Sequence, residues 1–159
     1  MRCTIGLVLA GAMAVSVPTA ILAEDLPPLV NVLAMPAGMT PPKVPRGQFH
    51  SAAGFYPKHA ADCAEGGRVI VEATIGTDGS VTNVQLMESS GFADLDVDGM
   101  VAVGTWRYEP ATRDGNPVAV RERVAVQYGA TAHVSGTADC SPEGTKAAAD
   151  TLLAALRGG

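Results

Sequence analysis

Residues 68–87 have the pattern of a β-hairpin, and this feature constrains the fold of the chain most strongly. The run 68–75 is rich in β-branched side chains, which favour strands, and the run 81–86 has the pattern of the return strand. Between them lies Asp78-Gly79, a dipeptide that supplies the positive φ angles of a tight hairpin turn. We therefore predict an antiparallel hairpin over residues 68–87.

The patterns that flank the hairpin predict two helices and a third strand. A short helix is expected to begin at Tyr56-Pro57, because proline suits the first helical turn. A second helix is expected over about 94–106, where apolar residues recur on or near one face. Residues 118–128 alternate like a strand with one face in the core and one in water. This order predicts an α+β fold, in which two helices pack on one face of a small antiparallel sheet.

The segment 1–23 has the features of a secretory signal peptide. A short positive start is followed by an apolar run from Ile5 to Val17, then a proline, then a small residue at the boundary with Glu24-Asp25. We expect cleavage after Ala23. The alternative is an uncleaved inner-membrane anchor, because the stretch 4–23 is just long enough to span a bilayer.

The remaining chain divides into three parts by composition. Residues 24–48 carry six prolines and no helical or strand period, so we expect an extended, polyproline-like tether. Residues 49–129 form the compact domain. Residues 130–159 form a C-terminal extension, whose helix is expected over about 142–157 because Ser-Pro-Glu is a good helix start.

Composition and motifs exclude several classes of function. The chain has 11 basic and 16 acidic residues and a net charge of −5, so we expect no nucleic-acid partner. The hydrophobic fraction of 47% rules out wholesale disorder. There is no phosphate loop or dinucleotide fingerprint, and Ser89-Ser90-Gly91 lacks the glycines of a nucleophile elbow. We expect no enzyme activity and no cofactor, and we interpret Asp94, Asp96 and Asp98 as helix-start acids that favour the dipole.

Two cysteines remain in the chain after the signal, Cys63 and Cys140. An even pair in an exported domain favours a disulfide, which would close a long loop around most of the compact domain. Two free buried thiols are the alternative. His59 and Cys63 are four positions apart and would share a helix face, so they could bind a metal together with Cys140. Three candidate ligands in an exported protein favour the disulfide, and we expect no metal.

Several short motifs, in order along the chain, resemble the C-terminal domain of TonB-family energy transducers. The resemblance covers residues 56–128, and its most specific part is the run from Trp106 to Ala111. The matching pieces are Tyr56-Pro57, Glu65-Gly66, Asp78-Gly79, Ser89-Ser90-Gly91, Leu95-Asp96, Trp106-Arg107-Tyr108-Glu109-Pro110-Ala111 and Gly115-Asn116-Pro117-Val118.

The resemblance implies a periplasmic module that supports transmembrane transport by binding TonB-dependent outer-membrane transporters. In the family, a transporter segment adds as a strand beside the last strand of the domain, which maps here onto residues 118–128. Arg121 and Arg123 could attract an acidic segment, or they could be ordinary residues of a solvated face. The binding residues implied by the resemblance are Val118, Val120, Arg121, Arg123, Val124, Val126 and Tyr128.

The resemblance leaves the type of TonB-like protein open. Complete transducers carry a histidine on a membrane anchor and contact an inner-membrane motor, whereas no histidine precedes His50 here. We therefore favour a periplasmic binding module, with an anchored transducer that couples the proton gradient to uptake as the alternative. A free strand edge also permits self-association. The helix over 142–157 could shield that edge.

Overall fold

The computed structural model of the chain describes residues 26–31, 34–51, 56–130 and 137–158. The signal peptide or anchor expected over residues 1–23 lies outside these ranges. Among the residues that are described, no helix is long and apolar enough to cross a membrane.

The described chain contains six strands and three helices. The predicted hairpin, both predicted domain helices and the predicted C-terminal helix are present, with ends shifted by a few residues at most. The elements are β1 (Met39–Thr40), α1 (Lys58–Asp62), β2 (Gly67–Ile75), β3 (Val81–Glu88), α2 (Ala93–Thr105), β4 (Ala111–Arg113), β5 (Asn116–Val118), β6 (Val120–Tyr128) and α3 (Pro142–Arg157).

The strands form two antiparallel sheets of three strands each. The larger sheet has the order β3-β2-β6, so the hairpin partner and the last strand lie on opposite sides of β2. The smaller sheet has the order β1-β4-β5. The strand predicted over 118–128 is broken at Ala119, and its first residue, Val118, belongs to β5 in the smaller sheet. An α+β fold with helices over one face of a small sheet is confirmed.

The hydrophobic core lies between the larger sheet and α2. Odd-numbered residues of β2 and even-numbered residues of β6 face this core, and α2 packs on β2 and β3. Branched side chains of β2 and β6 therefore pack in one buried cluster with Leu95 and Val103 of α2. The largest fully buried apolar side chains are Val69, Val71, Ile75, Leu95, Val103 and Val120.

Gly79 fixes the hairpin turn against the chain that follows α2. Its φ angle is +77°, and a Cβ atom at this position would lie 1.8 Å from the Tyr108 carbonyl oxygen. The Tyr108 N–H donates to the Gly79 carbonyl at 2.9 Å, and Ser80 forms a β-bridge with Arg107. Only glycine both adopts this positive φ angle without strain and leaves room for the Tyr108 carbonyl, which explains the Asp-Gly pair in the sequence.

The C-terminal helix α3 packs on α2 and also contacts α1. The disulfide between Cys63 and Cys140 is present, and it fixes the start of α3 next to the end of α1. Ser141 caps α3 by accepting a hydrogen bond from the Gly144 N–H. The main packing partners of α3 are thus helices, and not the strand β6.

The proline-rich segment before the domain lies against it at several points. Pro28 and Val30 are hydrogen-bonded to Arg121 of β6. Farther along, β1 pairs with β4, and Lys43 exchanges two main-chain hydrogen bonds with Glu109, of 2.8 and 3.0 Å. The segment expected as a tether is therefore paired with the folded domain where it is described.

Candidate functional site: the outer edge of the last strand

One edge of β6 is paired along its length with β2, and the other edge faces away from the sheet. Arg121 shows which residues face outward, since its N–H and C=O both bond to the N-terminal segment, at 2.8 Å each, and not to β2. Outward and inward residues alternate along an antiparallel strand. The main-chain groups of Arg123, Ala125 and Gln127 therefore point to the same side as those of Arg121.

Where it is described, the N-terminal segment pairs with the beginning of this outer edge. Leu29 forms a parallel bridge with Arg121, with Pro28 and Val30 as the bonding residues on either side. Among the described residues, no main-chain hydrogen bond reaches the outward groups of Arg123, Ala125 or Gln127. We call these three residues the open edge. A row of unpaired N–H and C=O groups of this kind can accept a further short strand.

The two arginines of β6 form ion pairs across the solvent face of the sheet. Arg121 Nη1 lies 2.7 Å from Glu72 Oε1, and Arg123 Nε lies 3.2 Å from Glu72 Oε2. Arg121 also donates from Nε to the Pro27 carbonyl at 2.8 Å. Both guanidinium groups thus share one carboxylate of β2, and Arg121 in addition holds the N-terminal segment. Arg123 is the more exposed of the two, with 55% of its side chain accessible.

The remaining residues implied by the resemblance lie mostly in the core. Val120, Val126 and Tyr128 are buried, and Val124 is half-buried, because even-numbered residues of β6 face α2. Their side chains position the strand, whereas its outward main chain is what a partner can reach. The resemblance did not identify Ala125 and Gln127, whose main-chain groups also face outward. The alternation along residues 120–128 was the signal that could have identified them.

A groove of about 470 Å³ lies where the N-terminal segment meets β6. Glu122 is on the core side of the strand, and burial raises its pKa above the ordinary value. Its Oε2 atom is buried and has no hydrogen-bond partner among the described residues. The groove lies beside the outer edge and is lined by Leu29, Val30, Asn31, Glu122 and Arg123.

The most specific part of the motif has a structural role. Trp106 is the C-cap residue of α2, and the His50 ring stacks on its indole with ring centroids 4.4 Å apart and an interplanar angle of 10°. His50 Nε2 also lies 2.9 Å from the Arg107 carbonyl oxygen. At the other end of the domain, the Tyr56 hydroxyl donates to the Glu65 carbonyl and Pro57 caps α1. Contacts that help to hold the domain together are thus made by Tyr56, Trp106, Arg107, Tyr108 and Glu109.

A buried polar cluster joins α1, α2 and α3 at the opposite end of the domain from the hairpin turn. His59 lies with Nδ1 3.0 Å from Asp94 Oδ2 and with Nε2 3.0 Å from the Asp139 carbonyl oxygen. Burial alone lowers the pKa of His59, but the hydrogen bonds to Asp139 and Asp94 outweigh it, so that its pKa is raised. Thr145 of α3 donates to Glu65 Oε1 at 2.8 Å. Burial, first among several causes, raises the pKa of Glu65.

Comparison with known proteins finds one family that this domain resembles in sequence. Residues 53–129 match the model of the Gram-negative bacterial TonB protein C-terminal domain. A protein TonB of Xanthomonas campestris pv. campestris (strain B100) is 32% identical over 90 residues, which are 57% of this chain and 35% of that protein. A protein TonB of Vibrio cholerae serotype O1 is 32% identical over 73 residues, 46% of this chain and 30% of that protein.

The chain thus spans about a third of the length of these curated relatives. No solved structure matches it significantly. The family match begins before α1 and ends just after β6, so it covers the larger sheet, α1 and α2 but not α3. In sequence, residues 53–129 of the chain are thus similar to the family of TonB C-terminal domains.

Proposed function

We propose that the chain is a periplasmic protein-binding module that serves outer-membrane transport. Its partner is the periplasmic segment of a TonB-dependent transporter, which adds as a strand to the open edge of β6. The observation that carries this proposal is the row of outward main-chain groups at Arg123, Ala125 and Gln127, unpaired among the described residues. The sequence match of residues 53–129 to the TonB C-terminal domain supports the direction of the proposal.

The expected affinity follows from the length of the open edge. Each of its three outward residues offers one N–H donor and one C=O acceptor to an incoming strand. A net gain of about 0.5–1.5 kcal/mol per hydrogen bond, reduced by the cost of ordering the peptide, gives a weak and reversible complex. Because main-chain pairing tolerates many side chains, one edge can serve transporters of different sequence.

Ala125 is the best position for a direct test. Its side chain is exposed and its N–H points away from β2, so Ala125→Pro removes a donor from the open edge without breaking the pairing of β6 with β2. Ala125→Val is the matched control, because valine keeps the N–H and suits a strand.

The measurement is calorimetric titration with synthetic peptides from the periplasmic N-terminal segments of TonB-dependent transporters. We expect the parent chain and Ala125→Val to bind alike, and Ala125→Pro to lose binding by about tenfold, the effect of losing one or two main-chain hydrogen bonds. Equal binding by all three proteins would exclude the open edge as the docking site. No binding of any peptide or whole transporter by the parent chain would exclude the function itself.

The same proposal includes export with cleavage after Ala23, which releases the domain into the periplasm. A complete transducer, anchored through residues 4–23 and in contact with an inner-membrane motor, is the alternative form. Cell fractionation followed by mass measurement of the purified protein distinguishes them. We expect a soluble periplasmic chain whose first residue is Glu24. A chain that still begins at Met1 and lies in the inner-membrane fraction would favour the transducer instead.

A further inference from the structure

We propose that the junction of α1, α2 and α3 becomes a zinc site when the Cys63–Cys140 disulfide is reduced. The ligands are His59 Nε2, the two thiolates and a Glu65 carboxylate oxygen. Two sulfurs, one imidazole and one carboxylate are a ligand set that suits tetrahedral zinc. This inference is independent of the strand-addition function, because the junction lies on α1 and α3 and the open edge lies on β6.

The ligand atoms are already close together in the oxidised protein. Ligand atoms of His59, Cys63 and Glu65 all lie within 4.8 Å of one another. Cys63 Sγ is 3.8 Å from His59 Nε2, a separation that fits two ligands of one zinc ion with bonds of about 2.3 and 2.1 Å. Cys140 supplies the fourth ligand, since its sulfur is bonded to that of Cys63.

Glu65 adds a buried carboxyl group to the junction, within hydrogen-bond reach of Asp94. The residue is 4% exposed, and its Oε2 atom has no hydrogen-bond partner among the described residues. Its other oxygen is held by the Thr145 hydroxyl of α3. A buried carboxylate oxygen without a partner is costly unless it gains a donor or a metal ion.

Asp94 has the position of a residue that orients a metal-binding histidine. It is fully buried, and its Oδ2 lies 3.0 Å from His59 Nδ1 while its Oδ1 accepts from the Leu95 N–H. A carboxylate that holds Nδ1–H leaves Nε2 as the ligand atom, and this is the usual support of a zinc-bound histidine. Here Nε2 faces Cys63 and the Asp139 carbonyl, which belongs to the residue before Cys140.

The chemistry of the switch balances with a dithiol as reductant. The dithiol transfers two electrons and two protons to the disulfide and becomes a disulfide itself, leaving thiols on Cys63 and Cys140. Zinc then displaces both thiol protons, so binding releases protons to the solvent. In the oxidised protein the two sulfurs are bonded to each other and cannot both bind zinc as thiolates. The disulfide and the zinc site are therefore alternative ways to hold α3 against α1.

The test is a zinc titration of the full chain in both redox states. The reduced sample is treated with a dithiol, desalted under nitrogen and titrated against a competing chelator, with native mass spectrometry for stoichiometry and cobalt absorption for thiolate ligation. We expect one zinc ion per reduced chain and none on the oxidised chain. Zinc-free reduced protein, or equal binding by both redox states, would overturn the proposal.

Three substitutions distinguish a folded site from zinc bound by two loose thiolates. His59→Gln and Glu65→Gln each remove a ligand, and Asp94→Asn removes the support of His59; each is expected to weaken zinc binding by about 10–100-fold. His50→Gln is the matched control and leaves affinity unchanged, because His50 stacks on Trp106 outside the cluster. Circular dichroism of the oxidised variants shows that each is folded. Unchanged affinity in both ligand variants would overturn the proposal.

Discussion

At the scale of single residues, the three aspartates of α2 show how burial changes the role of a charged side chain. Their alternation at a helix start indicates exposed acids near the dipole, yet Asp94, Asp96 and Asp98 are all buried. Asp94 holds His59, and Asp96 accepts from Ser90, both through N–H and through Oγ. The serines before α2 therefore anchor its first turns. Single-sequence patterns do not show partners that come from distant elements.

Asp98 makes stability depend on pH. The Tyr128 hydroxyl donates to its Oδ2 at 2.6 Å, and burial raises the pKa of Asp98 from 3.8 to about 6. Between these pH values the folded protein binds more protons than the unfolded chain, so the stability contributed by this group is full below about pH 4 and decreases as pH rises through about 6. Asp98→Asn should remove this loss. We expect the variant to gain roughly 1–3 kcal/mol relative to the parent between pH 4 and pH 7.

Urea unfolding of both proteins at several pH values measures this difference. The direction of the pH dependence decides the test, because an aspartate stabilised in its charged form would make the protein more stable as pH rises. A difference between Asp98→Asn and the parent that stays constant from pH 4 to pH 7 would contradict the assignment.

Gly79 allows a matched test of close packing at the hairpin turn. Gly79→Ala brings a Cβ atom onto the Tyr108 carbonyl, whereas Gly115, with a similar φ of +82°, has open space around the same position. Both changes incur the strain of a positive φ, about 1 kcal/mol. We expect Gly79→Ala to lower the free energy of unfolding by about 2 kcal/mol more than Gly115→Ala, since the backbone must shift. Equal losses in urea unfolding would show that the turn is not packed as described.

At the scale of elements, the disulfide is the main covalent tie of the C-terminal extension. It joins the end of α1 to the start of α3 across a sequence separation of 77. Replacing both cysteines by serine should lower the free energy of unfolding by up to about 4 kcal/mol, the chain-entropy figure for such a loop. Thermal unfolding of the oxidised parent and the double variant measures it. A double variant as stable as the parent would mean that the disulfide is not needed to hold α3 on the domain.

The elements themselves were the most predictable part of the structure. The hairpin, α2 and α3 follow from local signals: an Asp-Gly turn, an apolar face and a Ser-Pro helix start. The break at Ala119 and the smaller sheet depend on pairing between distant segments. For example, β1 pairs with β4, and the hairpin and α2 lie between them in the sequence. For the same reason, the sequence could predict that β6 has an exposed edge. It could not predict that Pro28 and Val30 are hydrogen-bonded to the start of that edge.

At the scale of the whole molecule, the described part of the N-terminal segment covers the start of the outer edge of β6. The Val30 N–H donates to the Arg121 carbonyl, so Val30→Pro removes one of the two main-chain hydrogen bonds that hold the segment on β6. Val30→Ala keeps that donor and is the control for lost apolar burial. If the segment and the transporter peptide compete for one edge, Val30→Pro should bind peptide about 5-fold more tightly than Val30→Ala, an effect of about 1 kcal/mol. Equal affinities would mean that the two sites do not overlap.

The most direct measurement is amide hydrogen exchange of the full chain by NMR, with and without a transporter peptide. A strand added to the open edge must bond the amides of Arg123, Ala125 and Gln127, while the amides of Val124 and Val126 are already bonded to β2. We predict that saturating peptide slows exchange at the three outward amides at least tenfold and leaves the two inward amides nearly unchanged. Protection that appears at β3 or α3, with the three outward amides still exchanging freely, would contradict strand addition at β6.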